Sequence, residues 1–126
     1  METIRVIKIE PHRVPEMVTI EKSHESYEEI VGGWFQTIRL SDTACIICND
    51  SGKLLGLEGN RRIGNDAIAG TFIIVGLDET RSACSLSPEN MEIYMKRFRT
   101  PERISPQEIK GMAHFTFTFL KEDDSE

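Results

Sequence analysis

"TFIIVGL", residues 71–77, is apolar on both parities of an extended chain. A strand with one face in water alternates apolar and polar side chains, whereas Phe72, Ile73, Ile74 and Val75 leave no polar face. The stretch therefore reads as a central strand covered on both faces. Its neighbours in sequence decide what surrounds it. Upstream, "WFQTIRL" (34–40) and "TACIICN" (43–49) read as two strands, and "NDSGK" (49–53) as a turn with Gly52 supplying the positive φ. "KLLGL" (53–57) reads as a short strand pairing back. Further upstream, "IRVIKIEP" (4–11) and "PEMVTIEK" (15–22) read as a β-branched hairpin.

Between the hairpin and residue 34 lies "SYEEIVGG" (26–33). Ser26 followed by Glu29 makes a capping box, and Gly32 suits a left-handed cap, so a short helix is expected at about 27–31. Downstream, "SPENMEIYMKRF" (87–98) is a second helix, with Ser87 at the N-cap and Pro88 in the first turn. Met91, Tyr94, Met95 and Phe98 form its apolar stripe. Ser105, Pro106 and Glu108 repeat the device, and "HFTFTFLK" (114–121) alternates as a half-buried strand before an acidic tail, 122–126. The expected fold is α+β, a single domain over 1–126 with a mainly antiparallel sheet and helices packed on one face.

A charge of −6 argues against wrapping duplex DNA, where basic residues supply most of the affinity. No run reaches the roughly 18 apolar residues of a membrane helix, and "METIRVIKIEP" lacks the apolar core of an export signal. Three cysteines without such a signal point to reduced thiols in a cytoplasm. Cys45 and Cys48 have C-x-x-C spacing, but within a strand they face opposite ways, so buried, inert thiols are expected. His12, His24 and His114 show no metal or catalytic spacing, and neither a nucleophile elbow nor a phosphate-binding glycine motif occurs. No catalytic residue, metal or cofactor is assigned.

One stretch carries candidate chemistry. "GLEGNRRIGNDAIAGTF" (56–72) sets four glycines around Arg61 and Arg62, and reads as a connection between strands. Glycines expose main-chain N–H groups, and arginine adds forked donors that fit phosphate or carboxylate. Asn60, Arg61 and Lys53 would then hold an anionic small ligand such as a nucleotide, with Trp34 or Tyr27 stacking on it. The plain alternative is a loop whose arginines pair with surface acids. Trp34 and Phe35 point to opposite faces of one strand, so one belongs to the core and the other is free for a ligand or a second subunit. The strand at 114–121, at a sheet edge, could pair with its copy in a homo-oligomer. A separate expectation rests on the acidic balance: a protein–protein inhibitor or adaptor that engages a basic host protein.

The motifs V-G-G-aromatic (from Val31), C-N-x-x-G-K (from Cys48), G-L-x-x-N-R (from Gly56) and I-x-G-T-F (from Ile68) resemble a family of short proteins in phages, plasmids and their bacterial hosts. That family is known only as a domain of unknown function. The resemblance covers Val31 to Gly76 closely and about 4–98 more weakly, leaving a helix and strand at 104–121 outside it. It implies a cytoplasmic accessory protein of a mobile genetic element, and it transfers no activity. It also marks Gly32, Gly33, Asn49, Gly52, Lys53, Gly56, Asn60, Arg61, Gly70 and Thr71 as matching positions.

Overall fold

A computed structural model describes residues 1–109 and 111. The strands are β1 (Thr3–Ile9), β2 (Glu16–Glu21), β3 (Phe35–Ser41), β4 (Ala44–Asn49), β5 (Gly59–Ile63), β6 (Asp66–Ala69), β7 (Phe72–Leu77) and β8 (Ala83–Cys84). The helices are α1 (His24–Val31) and α2 (Pro88–Arg97), with a further helical turn at 106–109. The main sheet runs β2-β1-β7-β4-β3, with β8 on the end of β7, and β5 pairs with β6 in a second, two-stranded sheet. Every pairing is antiparallel. The fold is α+β, as the sequence indicates.

β7 lies at the centre, and Phe72, Ile73, Ile74 and Val75 have no exposed surface. Burying each such side chain stabilises the fold by about 1.5–3 kcal/mol. Alternation along the three middle strands sorts the core into two layers. Ile7, Ile9, Ala44, Ile46, Cys48, Phe72 and Ile74 face one way and meet Tyr94 of α2, Phe98 at its C-cap and Ile68 of β6. Ile4, Val6, Cys45, Ile47, Ile73 and Val75 face the other way and meet Tyr27 and Val31 of α1. The helices therefore divide between the two faces and do not share one. The cause is the double-sided apolar character of β1, β4 and β7, which needs a cover on each side.

Three local expectations change. The stretch at 56–72 is no simple linkage: most of it is the β5–β6 hairpin, reversed at Gly64 with φ +58°. Its Asn, Arg and Gly content disguises a strand, while Ala67, Ile68 and Ala69 supply the burial. Residues 53–56 form turns, with the Leu55 N–H donating to the Ser51 carbonyl at 2.8 Å, and Gly56 at φ +75° takes the positive φ expected of Gly52. Helix α1 starts earlier than expected, because Ser23 is the N-cap and its Oγ accepts from the Ser26 N–H at 3.1 Å. Gly32 closes α1 at φ +83°, and Ser87 with Pro88 opens α2, both as expected. The 114–121 strand, its role in an oligomer and the acidic tail lie outside the described residues.

Candidate functional site

Strand β5 carries a bulge: Gly59 pairs with Ala69 and Arg61 with Ile68, leaving Asn60 as the extra residue. Strict alternation fails there, and the consecutive side chains Asn60 and Arg61 are both fully enclosed. Asn60 Nδ2 donates to the carbonyls of Ile9 at 2.9 Å and Gly70 at 2.8 Å. Its Oδ1 accepts from Arg61 Nη1 at 2.9 Å. Arg61 Nε donates to the carbonyl of Phe98 at 3.0 Å, and Nη2 to that of Arg13 at 2.6 Å.

This pair joins the end of β1, the turn before β2, the entry to β7 and the C-terminal end of α2. The guanidinium sits where a helix presents unpaired carbonyls and partial negative charge. Desolvation pulls its pKa down and the nearby Glu102 carboxylate pushes it up. Arginine remains charged in either case. Carbonyl dipoles balance the charge, and no buried side-chain N or O among the described residues lacks a partner. The expected anion site at Asn60 and Arg61 is therefore corrected. Both side chains hold main chain together and offer no surface to a ligand.

Arg62, the next residue, points outward. It donates from Nη1 to Glu102 at 3.1 Å and from Nη2 to Glu108 at 2.8 Å, and its own N–H reaches Glu102 at 3.2 Å. The Arg62 hydrogen bond holds the Glu108 carboxyl below the usual carboxylate range. The two adjacent arginines thus split between core and surface. Arg62 pairs with acids, as the alternative reading of the loop required.

Lys53 pairs with Asp66, with side chains only 10 % and 15 % exposed. It lines a small pocket with Gln36, Asn49 and Ser51, of about 30 Å³. That has room for no more than a few water molecules, while a second pocket that Lys53 lines, with Leu57, Ile104 and Ile109, measures about 280 Å³ and has a mostly apolar wall. Tyr27 is buried and meets the Phe35 ring edge-on, with centroids 5.5 Å apart. Trp34 is 80 % exposed. The five expected ligand residues are thus not gathered into one site: three are buried in two different layers, one is in an ion pair, and one faces solvent.

Sequence reasoning treated Asn49 as turn geometry, and it does more. Its Nδ2 donates to the Val31 carbonyl at 3.1 Å and its Oδ1 accepts from the Ser51 N–H at 2.8 Å. It ties the end of α1 to the 50–56 turn. Gly33 lies so close that a Cβ there would come within 3.1 Å of Asn49 Nδ2. The motifs V-G-G-aromatic and C-N-x-x-G-K are therefore two halves of one joint.

His12, held at φ +66°, pairs with Glu58 at 3.0 Å beside an open cleft lined by Glu102, Arg103, Ser105 and Glu108. Among the described residues no group of three or more His, Cys, Asp or Glu is placed to hold a metal. The cysteines are free. Cys45 and Cys48 lie in opposite core layers, and burial pushes their thiols up to about 11 and about 12. Among the described residues no helix is long and apolar enough to cross a membrane.

The chain belongs to the family described as a domain of unknown function, DUF3846, whose model matches residues 4–99. The matched span ends just beyond Phe98, so it contains α1, α2, the described strands from Ile4 onward and the Asn60–Arg61 pair. No curated protein and no solved structure matches the chain.

Proposed function

We propose that this member of the DUF3846 family is a non-enzymatic adaptor or inhibitor whose acidic surface engages a basic partner protein. The observation that carries the reading is on α1. Glu25, Glu28 and Glu29 share this eight-residue helix, whose last turn holds no basic residue. Among the described residues none of the three takes part in an ion pair. Glu25 stands at i,i+3 to Glu28 and i,i+4 to Glu29, spacings at which like charges weaken a helix by a few tenths of a kcal/mol each. The fold leaves that repulsion in place, and a cationic partner surface would relieve it. The chain's −6 charge extends the same field. The family resemblance implies the setting, an accessory protein of a mobile genetic element, and on this reading the basic partner is a host protein.

The test compares wild type with the combined Glu25→Gln, Glu28→Gln, Glu29→Gln variant as baits for host proteins. Wild type should retain a basic protein at about 0.05 M salt and release it towards about 0.5 M, as the Debye length shrinks. The variant should fold at least as stably and retain nothing. A partner held equally by both baits and at both salt levels would overturn the reading.

A further inference from the structure

The main sheet ends in two edges of different character. β2, at one edge, carries a glutamate at each end, Glu16 and Glu21. Charged residues of this kind blunt an edge against further pairing. β3, at the other edge, has the sequence FQTIRLS, with Arg39 its one charge; its register with β4 shifts between Arg39 and Ser41, so the regular edge is the stretch Phe35 to Arg39, which follows the exposed Trp34. Among the described residues no strand pairs with its outer side.

Hydrogen bonding fixes which groups face out. The Asp50 N–H donates to the Trp34 carbonyl at 2.8 Å. In the register that pairs Phe35 with Asn49 and Gln36 with Cys48, Trp34 and Asp50 are a hydrogen-bonded pair. Gln36 and Ile38 then also bond inward to β4. The N–H and C=O groups of Phe35, Thr37 and Arg39 point away from the sheet. The other side of β4 agrees: the Leu77 N–H donates to the Thr43 carbonyl at 2.9 Å, so Cys45 and Ile47 bond to β7 and the even residues of β4 bond to β3.

We propose that β3 is a homodimer interface, pairing antiparallel with β3 of a second copy and centred on Thr37. The sequence is self-complementary in that register. Thr37 faces Thr37 of the second copy, and Phe35 faces its Arg39, a cation over an aromatic ring. Gln36 faces Ile38. Trp34, which finds no cover within its own chain's described residues, stands just outside this paired stretch, because Leu40 lies in the register shift between Arg39 and Ser41. Centring the pair on Arg39 would set two arginines opposite each other, and centring it on Phe35 would lose most of the overlap. The Thr37 register joins two sheets into one continuous sheet and sets both copies of α1 on the same face. This interface does not depend on the proposed partner protein.

Sedimentation equilibrium on the full chain tests it. Wild type should run at twice the chain mass. Thr37→Lys and Thr37→Glu should each run as monomers, because each sets two like charges face to face at the centre. An equimolar mixture of the two should restore the dimer. Hydrogen exchange on wild type reads the same contact without a variant: the Phe35, Thr37 and Arg39 amides should be protected when concentrated and should exchange at least tenfold faster on dilution. A wild type monomeric at every concentration would overturn the proposal, including the case where those three amides stay protected because residues 112–126 cover the edge. A dimer that both variants leave intact would also overturn it, as would two folded variants that fail to pair when mixed.

Discussion

Arg61 Nε donates to the carbonyl oxygen of Phe98 at 3.0 Å, which puts a fully enclosed guanidinium on the C-terminal end of α2. The nearest compensation is the carbonyl oxygens of Phe98 and Arg13 and the side-chain oxygen of Asn60, with no carboxylate of the described residues in direct contact. A buried cation solvated by main chain behaves as a structural part.

Arg61→Ala should therefore destabilise the protein strongly. It strips a donor from the buried Phe98 carbonyl and from the buried Asn60 side-chain oxygen, each worth about 1–3 kcal/mol, and from the part-buried Arg13 carbonyl. Arg61→Lys should recover little, because one ammonium cannot reproduce the planar fork. Arg62→Ala, one residue along, should barely move the urea midpoint, since its ion pairs are screened by water. Urea unfolding of the three variants checks the contrast.

Asn49→Ala should cost about 1–3 kcal/mol by leaving the Val31 carbonyl and the Ser51 N–H unpaired. The loss should be local. Hydrogen exchange should speed up at the end of α1 and through 50–56 before it changes in β7.

Gly52→Ala tests a close approach of main chain. A Cβ at Gly52 would lie 2.6 Å from the Ala69 carbonyl oxygen, which belongs to β6 and cannot rotate away. The 50–56 turn must shift off the hairpin, at about 1–3 kcal/mol. Thermal unfolding should show it. Gly56→Ala serves as comparison, because its Cβ meets nothing within 4 Å although its φ of +75° still strains any side chain.

The buried thiols set an alkaline limit. An unfolded cysteine ionises near about 8.5, whereas folding pushes Cys45 up to about 11 and Cys48 up to about 12. The folded state thus holds its protons longer than the unfolded one, and stability falls as pH rises through that window. Urea midpoints at pH 7 and pH 10 should show the fall, and Cys48→Ala should flatten part of it. Iodoacetamide at neutral pH should label Cys48 only once urea is added.

The sheet was readable where residues alternate or fill both parities: 4–11, 15–22, 34–40, 43–49 and 71–77 all form strands. Capping chemistry located α2, since Ser87, Pro88 and the Met91–Phe98 stripe agree with one another. The β5–β6 hairpin was hidden because the buried side chains of β5 are Asn60 and Arg61, types that ordinarily mark surface. A bulge turns both inward, and nothing in one sequence announces a bulge or the carbonyls that will satisfy them. The same gap explains the site. Asparagine and arginine beside glycine suit an anion or a set of main-chain oxygens equally well, and only the positions of Ile9, Arg13 and Phe98 decide between them.

The bond from Arg61 to Phe98 spans 37 residues, and this separation has a bearing on synthesis. A chain emerging from its amino end makes the guanidinium long before its last acceptor. The strands as far as residue 77 can assemble early, but the hairpin cannot seat its cation until α2 has left the ribosome. Truncations ending before residue 98 should therefore keep the sheet's signature and remain open to protease between residues 56 and 70.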